Sequence, residues 1–175
     1  GRSEKYFLDH IENHLNYNDV DLSLLKKNTY KRNITTLKIM HHSSIIFENL
    51  SKQNIDFIPL KGAQLIYLYN YDFSYRSIRD LDLLIQEKDI YKTVKALYEM
   101  GFYFASSKKL DKNYKFFIEK NSYCIEPLFN DEGVCIELHH KIFNEYPCNF
   151  TKNLWESSKE IIIDNIKLRK INPEF

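Results

Sequence analysis

Between Ile55 and Gly101 the chain changes its hydrophobic period several times, and that alternation points to a sheet flanked by helices. IDFIPL, from Ile55 to Leu60, is a short apolar run of the length of one buried strand. Lys61 and Gly62 punctuate it, and AQLIYLYN then returns to the spacing of a helix. After the loop YDFSYRSIR, DLDLLIQ alternates, with Asp80 and Asp82 on one face and Leu81 and Leu83 on the other. DIYKTVKALYEMGF carries Ile90, Val94, Leu97 and Tyr98 at helical spacing, and Gly101 stands where a helix would stop. Strand, glycine turn, helix, strand, helix predicts an α+β domain with a mixed sheet.

The flanks extend this pattern. From Glu4 to about Asn54 the spacing is helical, with Phe7, Ile11 and Leu15 on one stripe and Ile34, Leu37, Ile45 and Ile46 on a later one. Two or three N-terminal helices are expected there, so residues 1–54 read as a helical segment packed on a core formed by 55–175. Beyond the polar loop SSKKLDKN, the segments YKFFIEK, YCIEPLF and VCIELHH read as strands, the last two joined by the turn NDEG. EIII and IKLRKI flank Asp164 and Asn165 as a further hairpin.

With 175 residues, 43% of them hydrophobic and 15% aromatic, the chain can bury one core but not two. Its 25 Lys and Arg against 24 Asp and Glu leave a formal charge of +1, which excludes the global basic field of a dedicated nucleic-acid binder. Only 4 Gly and 4 Pro argue against a linker, despite a mean hydropathy of −0.48. Cys124, Cys135 and Cys148 show no CxxC spacing, so neither a disulfide framework nor a zinc knuckle is indicated. No apolar run reaches the roughly 20 residues that span a bilayer, and GRSEKYFLDH has no signal-peptide core. The expected location is cytoplasmic.

Two aspartates at i and i+2 of a strand project the same way, close enough to share a hard cation. Mg²⁺ suits such a pair because it takes few protein carboxylates and completes its octahedron with water and phosphate oxygens. A solvated edge strand, or an ion pair with Arg76 or Arg79, would explain the same residues. Glu137 in VCIELHH is the candidate third carboxylate, sharing a strand face with Cys135 and His139 while Ile136 and Leu138 share the other. Three carboxylates on adjacent strands can hold two Mg²⁺, with Asp80 and Asp82 bridging and Glu137 helping to activate an attacking hydroxyl. A surface position for Glu137 stays open.

Lys61 and Gly62 at a strand-to-helix turn could admit a phosphate to backbone N–H groups at the positive end of a helix, the lysine adding a point charge. A plain turn glycine and a solvated lysine remain the bland alternative. Arg76 could contact a triphosphate or pair with Asp80. His139 could orient a metal shell or touch substrate; His140 is expected to be structural, and His41 and His42 to lie on a helix surface or in its packing. The aromatics Tyr67, Tyr69, Tyr71, Phe73 and Tyr75 could stack on a base or simply pack.

PLKGAQL, RSIRDLDLLI, LYEMGF and IELHH, in this order and at these separations, resemble the uncharacterised nucleotidyltransferase family of the polymerase-β-like superfamily. The resemblance runs from about Ile55 to His140. It implies a polymerase-β-like nucleotidyltransferase fold and transfer of a nucleoside monophosphate from an NTP, ATP included, to an acceptor, with Mg²⁺ (or Mn²⁺) required and pyrophosphate released. It assigns metal binding to Asp80 and Asp82, the third carboxylate to Glu137, and nucleotide contact to Lys61 and Gly62. The superfamily's Gly-Ser phosphate turn is replaced by Lys-Gly-Ala, and relatives usually continue into a C-terminal helical region where this chain ends at Phe175. The acceptor could be a small molecule, a protein or an RNA end. Two other functions fit the same motifs, namely a toxin-like nucleotidyltransferase of a toxin–antitoxin pair and a degenerate scaffold that binds a nucleotide or partner without turnover.

Overall fold

The computed structural model describes residues 22–69, 77–110, 123–143 and 149–171. The first described element, α1 (Leu22–Lys52), is one helix of 31 residues that no glycine or proline interrupts, and the earlier part of the expected helical segment lies outside the described residues. Phe7, Ile11 and Leu15 lie outside the described residues. The buried face of α1 also departs from expectation. It consists of Thr36, Ile39, Ser43, Ile46, Phe47 and Leu50, whereas Ile34, Leu37 and Ile45 point outward. Two hydroxyls therefore stand where apolar residues would be sought, each with a partner. Thr36 Oγ1 accepts from the Ile78 N–H at 3.1 Å, and Ser43 Oγ donates to the Ile39 carbonyl at 2.6 Å. At the end of α1, Asn54 takes a left-handed φ of 53°, and the Ile55 N–H returns to the Leu50 carbonyl at 3.0 Å.

After this cap the chain enters β1 (Phe57–Pro59), α2 (Lys61–Tyr69) and β2 (Leu81–Ile85). A short 3₁₀ turn at Glu87–Asp89 leads into α3 (Ile90–Glu99). Gly101, at φ 84°, closes α3 as expected, with the Phe102 N–H bonding back to the Leu97 carbonyl at 2.9 Å. The remaining described elements are β3 (Tyr103–Phe104), β4 (Leu128–Phe129), β5 (Cys135–His139), α4 (Asn149–Ser157), β6 (Lys159–Ile163) and β7 (Ile166–Lys170).

Five strands form one mixed sheet in the order β1-β2-β5-β4-β3, and β6 and β7 form the expected second hairpin. Its two turn residues, Asp164 and Asn165, both have positive φ (48° and 65°), the geometry of a type I′ turn. The NDEG turn between β4 and β5 also forms, with Asn130 Oδ1 accepting from the Glu132 and Val134 N–H groups. YCIEPLF is not a continuous strand. Only Leu128 and Phe129 belong to β4, and Cys124 makes an isolated bridge to His139, because Pro127 offers no N–H to the ladder between them. YKFFIEK lies outside the described residues.

The sheet separates two unlike sides. Leu81, Leu83 and Ile85 of β2, with Ile136 and Leu138 of β5, join α1, α2 and α3 in the main core through Ile39, Phe47, Ala63, Ile66, Val94 and Leu97. Each of these side chains except Ala63 contributes about 1.5–3 kcal/mol on burial. Leu84 of β2 and Ile58 of β1 face the other way, into a small cluster closed by Leu60 and by Leu154 of α4. By strand alternation Asp82, Glu137 and His139 belong to this second side. Among the described residues, these polar side chains adjoin the small apolar cluster on that side.

Candidate functional site

Register brings the site residues together. β2 and β5 pair in parallel with Asp82 opposite Glu137 and Leu84 opposite His139. β1 pairs antiparallel to β2, and the Leu60 N–H donates to the Asp82 carbonyl at 3.0 Å, so the next residue, Lys61, starts α2 beside the same strand. Lys61 has a φ of 47° and Gly62 is buried in the first turn. On the far edge of β5, the Ile125 and His140 N–H groups bond to Leu138 and Tyr123 carbonyls. That edge sets the Tyr123 ring against the His139 ring, with centroids 5.5 Å apart and planes at 23°.

Asp82 is the centre. Its side chain is 2% exposed, and its Oδ1 accepts from Lys61 Nζ at 2.6 Å and from His139 Nε2 at 2.8 Å. A buried carboxylate without such donors would be strongly unfavourable. Glu137 Oε2 lies 3.7 Å from Lys61 Nζ and 3.6 Å from His139 Nε2. Lys61 thus reaches both carboxylates, while its side chain stays 55% exposed.

These contacts divide the two acids. Burial pushes Asp82 upward, but the hydrogen bonds from His139 and Lys61 and their charges outweigh it and hold the carboxyl below its ordinary range. Glu137 is raised, first by burial and then by the charge of Asp82, with Lys61 only partly offsetting them. Lys61 itself is raised: burial opposes its charge, but the bond to Asp82 and the surrounding carboxylates prevail. Cys135, on the same strand face, is pushed up to about 11 by burial and by Glu137, Asp80 and Asp82, so it stays a thiol at neutral pH.

The ligand atoms of Asp82, Glu137 and His139 all lie within 4.8 Å of one another. The two carboxylate oxygens are the donors a hard divalent cation prefers, while His139, donating through Nε2 to Asp82 Oδ1, holds that carboxylate in place. The donor set fits such a cation on one condition, that the Lys61 ammonium withdraws from Asp82 Oδ1.

Asp80 stands outside this trio. It is half-buried in the bend before β2, acting on Lys61, Glu137 and Cys135 through its charge. The bend is tied to α1 through Ile78 and Thr36, and Arg79 is exposed. Arg76 lies outside the described residues, as do Tyr71, Phe73, Tyr75 and Cys148. Tyr67 packs against Phe47 with centroids 5.1 Å apart, and Tyr69 carries Lys170 Nζ over its ring at 4.1 Å. His140 is buried, His41 is exposed, and His42 Nε2 faces Glu132 Oε1 at 3.3 Å. Two features had no signal in the sequence, the seat of Lys61 on Asp82 and the Tyr123 ring behind His139; both depend on how separate strands are aligned.

A mixed sheet whose central parallel pair carries facing carboxylates, beside a strand, Lys-Gly and helix, has the architecture of an α+β nucleotidyltransferase fold. The chain belongs to the family described as uncharacterised nucleotidyltransferase, whose model matches residues 5–175. No curated protein matches the chain.

Proposed function

We propose that the protein transfers a nucleoside monophosphate from an NTP to an acceptor hydroxyl, using Mg²⁺ or Mn²⁺ held by Asp82 and Glu137 with Asp80 at the rim. In that reaction an acceptor oxygen bonds to the α-phosphorus, the bond from that phosphorus to the α,β-bridging oxygen breaks, and pyrophosphate leaves with the electron pair. The observation that carries this is the facing of Asp82 and Glu137 across the parallel pair, within reach of His139, in a member of a nucleotidyltransferase family. The bound cation would supply charge neutralisation on the phosphate oxygens and a fixed frame for in-line attack.

The residues divide the remaining work. Asp82, buried in mid-strand and oriented by His139, is suited to be a permanent ligand. Glu137, opposite Asp82 on the neighbouring strand, completes the carboxylate set and is placed to help activate the acceptor hydroxyl. His139 orients Asp82 through Nε2. Lys61 and Gly62, at the start of α2, offer an ammonium and backbone N–H groups to the phosphates. Arg76 is assigned to the triphosphate from its sequence position alone. The acceptor is a small molecule, a protein or an RNA end. No described helix is long and apolar enough to cross a membrane, and the reduced Cys135 thiol suits the reducing cytoplasm.

Incubation with α-labelled NTPs, Mg²⁺ and candidate acceptors tests this reading. Transfer by wild type that falls by about 10³-fold or more in Asp82→Asn is expected, since catalysis here rests on positioning and charge. Equal transfer by the two proteins would sink it. The Lys61 contact favours one second reading, a domain that binds nucleotide without turnover. Nucleotide binding that is indifferent to Mg²⁺, with no product formed, would establish that reading instead.

A further inference from the structure

Lys61 occupies a place that the donor set suits for a different cation. Its Nζ sits on Asp82 Oδ1 at 2.6 Å and faces Glu137 Oε2 at 3.7 Å, so the ammonium lies between the two carboxylates. A divalent ion on the same Oδ1, at the roughly 2.0–2.1 Å typical of Mg²⁺, could stand no further than about 5 Å from that ammonium. Two cations so close, competing for one buried carboxylate oxygen, repel. Lysine and metal are alternative occupants of one position.

The backbone and side chain of Lys61 differ in freedom. Its backbone is held by the neighbouring Leu60 N–H on Asp82 and by the first turn of α2. Its side chain is 55% exposed, on a flexible four-carbon stem. The ammonium can leave the carboxylates without any strand moving. When it does, it remains at the start of α2, where phosphates would lie.

We propose that the Lys61 ammonium is a built-in counter-ion of the site, seated between Asp82 and Glu137 when no divalent cation is bound and released towards the phosphates of the NTP when one binds. The proposal rests on the nucleotidyltransferase reading of the site. It gives Lys61 two successive partners and makes metal binding the step that frees it. Lys61 then opposes metal binding and favours nucleotide binding, two effects of opposite sign.

The test is Mn²⁺ binding to the full chain, read from the electron paramagnetic resonance of the free ion, for wild type, Lys61→Gln, Lys61→Arg and Asp82→Asn. Gln leaves the backbone demand at residue 61 unchanged. Lys61→Gln should bind Mn²⁺ about tenfold more tightly than wild type, with Lys61→Arg close to wild type. In the presence of saturating Mn²⁺, Lys61→Gln should bind a non-hydrolysable NTP about tenfold more weakly by calorimetry. Equal or weaker Mn²⁺ binding by Lys61→Gln overturns the proposal while leaving the metal site standing. Unchanged nucleotide affinity in Lys61→Gln overturns the transfer of Lys61 to the phosphates. Undiminished Mn²⁺ binding by Asp82→Asn, or none by any of the four, removes the underlying reading as well.

Discussion

His139 donates through Nε2 to Oδ1 of Asp82 across 2.8 Å, with both side chains almost wholly buried. The acceptor is a carboxylate, so the proton of the ring sits on the nitrogen that faces it. His139→Ala would leave Asp82 one donor short, at a cost of about 1–3 kcal/mol in urea unfolding. The folded pKa of Asp82 lies below its ordinary 3.8, so its stabilisation is present above that pH and lost as pH falls through the folded value. His139→Ala should therefore shrink the acid limb of the stability curve followed by circular dichroism. An acid limb identical to wild type would show that the bond contributes nothing.

Glu137 has the opposite sign. Its folded pKa is raised above 4.5, so its contribution to stability is complete below that pH and lost as pH rises through the folded value. Above the folded value the ionised group works against the fold. Glu137→Gln should raise Tm at pH 7, have little effect well below pH 4.5, and abolish transfer. A fall in Tm at pH 7 would contradict the electrostatic assignment.

On α1 the outward and inward residues should separate cleanly. Ile39→Ala, at a buried position in the main core, should cost about 2–5 kcal/mol. Leu37→Ala, at an exposed one, should change stability by no more than about 0.5 kcal/mol. Denaturant midpoints of the two variants measure the difference.

The β6–β7 turn offers a stabilising change. Asn165 sits at φ 65°, where glycine is at ease and a β-branched residue is not. Asn165→Gly should hold or raise stability, and Asn165→Ile should lose about 1–2 kcal/mol. Similar midpoints for both would argue against a type I′ turn in solution.

Much of the sheet was legible because its strands carry a period of two with one side polar. DLDLLI and VCIELHH announced which side chains share a face, and Gly101, NDEG and Asp164 with Asn165 marked stops and turns where they occur. The inner face of α1 was not legible, because counting apolar residues passes over Thr36 and Ser43, whose hydroxyls are satisfied by Ile78 and Ile39. β4 was overestimated because Pro127 looks harmless inside an apolar run. Within the site, the carboxylates could be placed on strand faces, but not the seat of Lys61. A lysine's partner depends on tertiary register, here the bond from Leu60 to Asp82. Asp80 and Asp82 looked equivalent in sequence, yet one lies in a bend and the other in the middle of the sheet.

Asp82 and Glu137 meet only where β2 and β5 run side by side, and a parallel pair cannot be made by a tight turn. The whole of α3, β3 and β4 lies between them along the chain. Contacts so remote in sequence form late and at a cost in loop entropy. The two acids are strangers until the middle of the sheet has closed, and any opening that parts those strands parts them again. A ligand gripping both would act as a clasp on that seam, and its affinity would add to the stability of the sheet.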